Sequence, residues 1–368
     1  MKEKRILFLV LTAFSHMGGI EKFNRALIKA LMDLSPTLSL RNSFAGMYDD
    51  RFDAQYTQGA RYHVFNGQKI SFVFSAVMQA FKQDVIVLGH LNLALIGVLI
   101  KLLAPNKKII VICHGIEVFE PVSGLKKKVL EHADQILAVS TFTKQQLIEQ
   151  QQLDAEKITV FPNTIDPYFQ LPSQFIKPNY LQQRYGLSAD EKIIFTLTRL
   201  NSSEGYKGYD TLISVLPQLI QKNIRFKYIL AGKADAAELQ RMQTLITSLG
   251  LADKVIMPGF IADVEVTDHY LLADVFVMPS KGEGFGIVYL EAMGCGLSVI
   301  AGNKDGSTEA LQFGKLGTLI DPDSSDELTA ALVNVLTTEH HSREVQQNML
   351  TYFSFEKFKE RLKRILES

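Results

Sequence analysis

The densest chemistry in this chain lies in one short stretch, Pro279–Met293, which reads PSKGEGFGIVYLEAM. Gly282, Gly284 and Gly286 alternate with Glu283 and Phe285 in a loop that runs into a helical pattern near Gly286. Glycine lets backbone amides approach an anion, and a helix N-terminus is electropositive. Such a turn can therefore cradle a phosphate or a sugar hydroxyl. Glu291 follows eight residues after Glu283, roughly 12 Å along a mostly helical segment. Two carboxylates at that reach, flanking a diphosphate site, can accept hydrogen bonds from hydroxyls at opposite ends of a sugar nucleotide. Without the glycines, the same pair would read as a helix-dipole glutamate and a solvated surface glutamate.

Other reactive groups also follow apolar runs. Arg199 and Lys207 come after Lys192–Thr198, and their donors suit a diphosphate, the arginine bidentately and the lysine as a point charge. His114 ends the run Lys108–Cys113 and precedes Gly115. Gly18 and Gly19 close the loop after Ile6–Leu11 and would let an amide approach an anion. Gly232 follows Arg225–Ala231, and Ile261 stands two residues past Gly259; by composition Ile261 is a loop hydrophobe.

These positions require elements that end where the chemistry begins. Apolar, β-branched runs alternate with helical patterns along the chain, which predicts parallel sheets covered on both faces. Strands are expected at Ile6–Leu11, Asp84–Leu88, Lys108–Cys113, Gln135–Val139 and Thr159–Phe161, with helices near 20–34, 71–82, 92–103, 122–132 and 142–150. The aromatic stretch from Phe44 to Phe74, ahead of and into the helix near 71–82, matches no interpretable pattern and is otherwise left unassigned. Pro162, Pro167, Pro172 and Pro178 then break the pattern over 162–188, which reads as a linker with a short lead-in. Alternation resumes with strands at Lys192–Thr198, Arg225–Ala231, Lys254–Met257, Val275–Met278, Ser298–Ala301 and Leu319–Ile320. Helices are expected between them at 208–222, 235–249, 264–272 and 286–294, and after them at 325–337. The expected architecture is α/β: two doubly wound, Rossmann-like domains, 1–170 and 171–350, followed by a helix in 351–368. In that helix Ser354 is a plausible N-cap and Phe355, Phe358, Leu362 and Ile365 share one face. The helix can pack back on the N-terminal domain or, being basic, lie on a membrane; packing is the commoner use. Ligands of doubly wound sheets bind beyond the carboxyl ends of the strands, so a cleft between the domains is the expected site.

With 368 residues the chain is long enough for two cores. Formal net charge is zero, which leaves no electrostatic footprint for nucleic acid. Residues 1–170 hold 19 Lys/Arg against 15 Asp/Glu, so that half is mildly basic and suits an anionic membrane surface or a phosphorylated acceptor. Cys113 and Cys295 stand alone in apolar surroundings, which fits buried hydrophobes in a reducing cytoplasm. Lys2, Lys4 and Arg5 before Ile6–Val10 imitate a signal peptide, but no small-residue cleavage site follows and a buried first strand is expected. Leu91–Leu103, interrupted by Asn92 and Lys101, is too short to span a bilayer. A cytoplasmic protein is expected, with peripheral contact at the inner membrane face as a further option.

Taken together, Glu283 through Glu291 resembles the E-x7-E element of the retaining GT-B glycosyltransferases of family GT4. Other pieces match in order: Met17-Gly18-Gly19, Cys113-His114-Gly115, Ala138-Val139-Ser140, Pro162-Asn163, Thr198-Arg199-Leu200 with Lys207-Gly208, Ala231-Gly232, and Gly302–Ser307. The last looks like the segment after the E-x7-E helix in polysaccharide-building members. The resemblance spans about residues 5–335. It departs at Ser202–Gly205, which lengthens the Arg199–Lys207 spacing and gives Arg199 the clearer place, and after Gly232, where Gly232-Lys233 does not continue as the Gly-x-Gly that would be expected.

The resemblance implies a nucleoside-diphosphate sugar donor, UDP-hexose first and GDP-mannose second, and a glycan or lipid-linked acceptor in surface polysaccharide synthesis. It implies no metal and no other cofactor. Glu283 would orient the sugar, His114 would support it, Arg199 and Lys207 would stabilise the leaving diphosphate, and Glu291 would hold the ribose. Gly18, Gly19, Gly232, Gly284, Phe285 and Gly286 would line the donor, with Ile261 against the base. No second carboxylate matches a nucleophile of the retaining-glycosidase kind; Glu117 and Glu120 lie near the site without such a role. Same-face attack through an oxocarbenium-like state is the mechanism implied. Competing readings are a non-catalytic sugar-nucleotide scaffold, a GT-B phosphorylase or epimerase, and a dinucleotide oxidoreductase. The last is disfavoured because His16–Glu21 lacks the G-x-G-x-x-G spacing.

Overall fold

The computed structural model describes residues 3–338 and 341–367; Lys2 of the N-terminal basic run lies outside them. The chain forms two compact units, Met1–Phe169 with Phe353–Ser368, and Gln170–Tyr352.

In the first unit seven strands alternate with helices: β1 (Lys4–Val10), α1 (Gly19–Leu38), β2 (Leu40–Gly46), α2 (Ala54–Thr57), β3 (Arg61–Val64), α3 (Lys69–Ala80), β4 (Val85–Leu88), α4 (Ala94–Leu103), β5 (Lys108–Cys113), α5 (Gly124–His132), β6 (Gln135–Ala138), α6 (Thr141–Glu149) and β7 (Ile158–Val160). Their order across the sheet is β3-β2-β1-β4-β5-β6-β7, every pair parallel. The direction of winding reverses between β1 and β4, which opens a crevice at the carboxyl ends of those strands. Ile6–Val10 and Val85–Leu88 are buried, as the central strands of a doubly covered sheet must be.

The unassigned stretch holds the end of β2, which begins just before it, then α2, β3 and the start of α3. Its strands escape a hydrophobic-run reading because β2 carries polar Arg41, Asn42 and Ser43, and β3 is an edge strand. Asn42 is buried all the same, its amide donating to Leu31 O (3.0 Å) and Ser35 Oγ (2.7 Å).

The second unit contains α7 (Asn179–Arg184), β8 (Lys192–Leu197), α8 (Tyr209–Gln221), β9 (Phe226–Ala231), α9 (Ala236–Ser248), β10 (Val255–Gly259), α10 (Asp263–Leu272), β11 (Val275–Met278), α11 (Ile287–Gly294), β12 (Ser298–Gly302), α12 (Ser307–Ala310), β13 (Thr318–Ile320), α13 (Ser325–Thr337) and most of α14 (Ser342–Phe353). Its parallel sheet is ordered β10-β9-β8-β11-β12-β13, with the reversal between β8 and β11. Helices α7, inside the proline-rich stretch, and α14 are additions to the sequence-based assignment. The chain then returns to the first unit in α15 (Phe355–Glu367). Phe358, Leu362, Ile365 and Leu366 are buried there, and the Phe358 ring lies 4.4 Å from Phe161 and 5.8 Å from Phe23 of α1.

Candidate functional site

In the second unit the reactive groups gather at the switch point. The loops leaving β8 and β11 are neighbours there, and Lys281 N–H donates to Tyr206 O (2.8 Å). The insert Ser202–Gly205 folds as a turn into a single 3-10 turn, Gly205–Lys207. That turn seats Lys207 on the Glu283 carboxylate, both side chains being nearly buried. Glu204 sits between the cations, bonded to Arg199 Nη2 (2.7 Å) and 4.0 Å from Lys207 Nζ. The result is a chain of alternating charge: Arg199, Glu204, Lys207, Glu283. Burial disfavours the Lys207 ammonium, but Glu283, Tyr206 and Glu204 together outweigh it and hold its pKa above the ordinary lysine value. Arg199, which the sequence spacing favours, is instead 70% exposed. The insert builds the Lys207 site rather than displacing it.

Asp305 fixes the backbone of the Glu283 loop. Its Oδ2 accepts from Glu283 N–H (2.7 Å) and its Oδ1 from Ser307 N–H (2.9 Å), while Gly306 N–H donates to Glu283 O (2.8 Å). Burial pushes the Asp305 pKa up to about 6, against the hydrogen bonds from Ser307 and Glu283 that favour the carboxylate. Gly284 and the buried Phe285 carry the loop to Gly286, which caps α11 at φ 87°, a left-handed conformation that favours glycine. Glu291, on α11, is wholly buried and accepts from Tyr270 OH (3.2 Å); it is not a solvated helix residue. Gly232 follows β9, and a Cβ there would stand 1.6 Å from Thr198 O, so only glycine fits beside the loop that carries Arg199. Its N–H donates to Gly259 O (2.8 Å), and Ile261 is buried just beyond.

In the first unit, His114 follows β5 and is half-buried. Its Nε2 donates to Gly89 O (2.8 Å), its backbone N–H donates to Glu117 Oε1 (2.6 Å), and its ring lies edge-on to Phe23 at 5.1 Å. The carbonyl partner places the proton on Nε2. Beside it stands His90, which the sequence analysis passed over. It follows β4, and its ring is 5.9 Å from that of His114. His90 Nδ1 accepts from Asn92 N–H (3.0 Å), and burial draws its pKa down to about 4, so the ring is neutral near pH 7. The signal was available, since Gly89-His90 follows an apolar run much as His114-Gly115 does. Gly18 is the extended N-cap of α1 and Gly19 its first residue. Upstream, buried Asp49 collects Ala13 N–H (2.9 Å), Phe14 N–H (2.9 Å), Ser15 N–H (2.9 Å), Thr12 Oγ1 (2.8 Å) and the Tyr62 hydroxyl. Asp49 lies in the stretch that gave no assignment.

Known proteins resemble this chain in sequence and in fold. The family model described as "Glycosyl transferases group 1" matches residues 180–350, and "Glycosyltransferase Family 4" matches residues 17–169. The chain is 35% identical over 163 residues to a GDP-mannose-dependent alpha-(1-6)-phosphatidylinositol monomannoside mannosyltransferase of Mycolicibacterium smegmatis, covering 42% of this chain and 41% of that protein. It is 29% identical over 245 residues to the protein of the same name from Mycobacterium tuberculosis, covering 64% and 62%. The matches thus span between two fifths and two thirds of these relatives' lengths. In fold it is similar to Anabaena HepE in complex with UDP and glucose, at a TM-score of 0.79 and 22% identity over 99% of this chain and 100% of that one. The two family models between them match most of both units and hold every site residue named in the sequence analysis, and the chain belongs to the family 4 glycosyltransferases, on the GT-B fold.

Proposed function

We propose that this chain is a retaining glycosyltransferase that moves a sugar from a nucleoside-diphosphate sugar to a glycan or lipid-linked acceptor. The observation that carries this reading is the Lys207–Glu283 pair at the switch point of the second sheet, with Arg199 joined to it through Glu204. A sugar diphosphate offers what such a pair needs: hydroxyls for the carboxylate and phosphate oxygens for the cations. As the bond from the anomeric carbon to the phosphate oxygen breaks, Lys207 and Arg199 take up the charge that grows on the leaving group. The acceptor hydroxyl attacks from the same face, forms the new glycosidic bond and gives its proton to the departing phosphate oxygen. Glu283 orients the sugar, His114 supports it, and the nucleotide's ribose is assigned to Glu291. Gly18 and Gly19 approach the diphosphate, Gly232 and the Gly284–Gly286 loop line the donor, and Ile261 packs on the base.

Relatives named for GDP-mannose and a fold neighbour solved with UDP both support a sugar nucleotide and divide on the base. UDP-hexose and GDP-mannose are therefore tested together, and synthesis of a surface polysaccharide at the inner membrane face is the role assigned. Thermal-shift panels with UDP, GDP, ADP and their sugars should raise the melting temperature with one base. Transfer with that donor should then survive EDTA and keep the anomeric configuration by NMR. Glu283→Gln should lower turnover by about 10²-fold. A variant within a few-fold of the parent, or transfer that requires an added divalent cation, would overturn the assignment. Turnover dependent on inorganic phosphate would point to the phosphorylase reading instead, and binding without transfer or hydrolysis to a scaffold.

A further inference from the structure

The loops that leave the carboxyl ends of the second sheet carry five basic side chains: Arg199, Lys207, Lys233, Lys281 and Lys304. Four of them meet an acid. Arg199 pairs with Glu204 (2.7 Å), Lys207 with Glu283, Lys281 with Asp323, and Lys304 with Asp321 (2.6 Å). Lys233 is the exception. It is exposed, and among the described residues no hydrogen bond or ion pair engages its ammonium. The acid nearest to it in sequence, Asp235, is already occupied. That carboxylate caps α9 by accepting from Glu238 N–H (2.8 Å), and it accepts from Ser202 N–H (2.8 Å) as well.

The backbone sets this lysine beside a second cation. Strands β8 and β9 run in parallel register as far as Leu197 and Ala231, and the pairing resumes where Leu200 bridges Ala234. The same offset puts Lys233 opposite Arg199. Leu200 N–H donates to Lys233 O (3.1 Å) and Asp235 N–H to Leu200 O (3.0 Å), which fixes the two loops at this rung. Paired strands lie about 4.8 Å apart. Like charges at opposed positions repel, and Glu204 relieves only the arginine. An exposed, unpaired lysine held against an arginine therefore suits an anion that can meet both. A diphosphate has enough charged oxygens to do so, and the Lys207–Glu283 pair stands on the adjoining loops of the same edge.

We propose that Lys233 binds the diphosphate of the sugar nucleotide, which bridges it to Arg199 and relieves their repulsion. The inference rests on the sugar-transfer reading and adds to it a third cation, from the loop after β9. Its four-carbon stem lets the ammonium follow the phosphate oxygens as a point charge.

Calorimetry with UDP and GDP, each beside its bare nucleoside, tests the assignment. For the diphosphate that the parent binds, Lys233→Met should weaken binding by about fivefold. Lys233→Arg should stay within about twofold of the parent, since it keeps the charge. Affinity for the matching nucleoside should not move, and diphosphate binding by Lys233→Met should depend less on salt than the parent's. Thermal unfolding supplies a second readout of opposite sign. Without ligand, Lys233→Met should melt at or above the parent's temperature because a like-charge contact is gone, while its diphosphate-induced shift shrinks. A merely structural lysine would lower the first value. Parent-like diphosphate affinity in Lys233→Met overturns the proposal, as does an equal loss of nucleoside binding or a loss that Lys233→Arg shares. A parent that binds a diphosphate through Lys233 but transfers no sugar would keep this inference and remove the transfer reading. A parent that binds neither diphosphate would end both.

Discussion

Each unit buries a carboxylate that gathers the backbone of a loop leaving its sheet, and the two put it to different use. Asp49 accepts from three consecutive backbone amides and two hydroxyls, so the segment after β1 spends its donors on an internal anion. Asp305 accepts from only two amides, and one belongs to Glu283. By holding that backbone, Asp305 leaves the Glu283 side chain to meet Lys207. The first loop is a closed anion nest and the second presents a charged pair. A buried acid can thus either complete a loop or aim one.

The comparison is most exposed to a test at the cations. Lys207→Ala removes a buried positive charge and strands Glu283, so kcat should fall by about 10²–10³-fold. Arg199→Ala, at a largely solvated residue, should cost about tenfold. Equal losses would mean that burial does not rank these two groups. Next come the acids themselves, read by urea denaturation. Asp49→Ala strips five donors and should cost ~3 kcal/mol or more, whereas Asp305→Ala should cost ~1–3 kcal/mol and lower turnover as well. If Asp305→Ala left turnover untouched, the idea that it aims Glu283 would fail.

Titration gives a smaller effect of opposite sign in the two units. The folded-state pKa of Asp305 is raised from 3.8 to about 6, so the folded chain binds the extra proton between those values. That contribution favours folding at low pH and fades as pH rises through 6. The His90 pKa is lowered from 6.5 to about 4, so its contribution is intact above 6.5 and fades as pH falls toward 4. Difference curves of stability against pH for Asp305→Asn and His90→Asn should slope in opposite directions, by about 1 kcal/mol per pH unit at most. Slopes of one sign would remove the contrast. Smallest of all, Glu204→Gln should free Arg199, leave Lys207 paired with Glu283 alone, and tighten nucleoside diphosphate binding by roughly threefold in calorimetry.

What the sequence made legible follows from the physics of each signal. Continuous apolar runs such as Lys108–Cys113 and Val275–Met278 announce buried parallel strands, and the loops beyond their carboxyl ends carry His114 and Glu283. β2 was hidden because its buried Asn42 is paid for by hydrogen bonds that no periodicity reveals. Asp49 drew no reading and Asp305 entered only as part of Gly302–Ser307, since a carboxylate's burial depends on amides brought to it from elsewhere. Spacing alone left Lys207 the less clear of the two cations, because it does not show that a four-residue insert folds as a turn and seats its far end on Glu283.

The polypeptide runs between the units twice, at 169–170 and again at 352–353. The second unit is therefore an insertion within the first, in sequence if not in fold. During synthesis the first sheet must wait for α15, made only after the entire second unit, before Phe358 can cover Phe23 and Phe161. A growing chain would hold that aromatic face open to solvent for some 180 residues of elongation, an interval in which chaperones or premature aggregation compete for it.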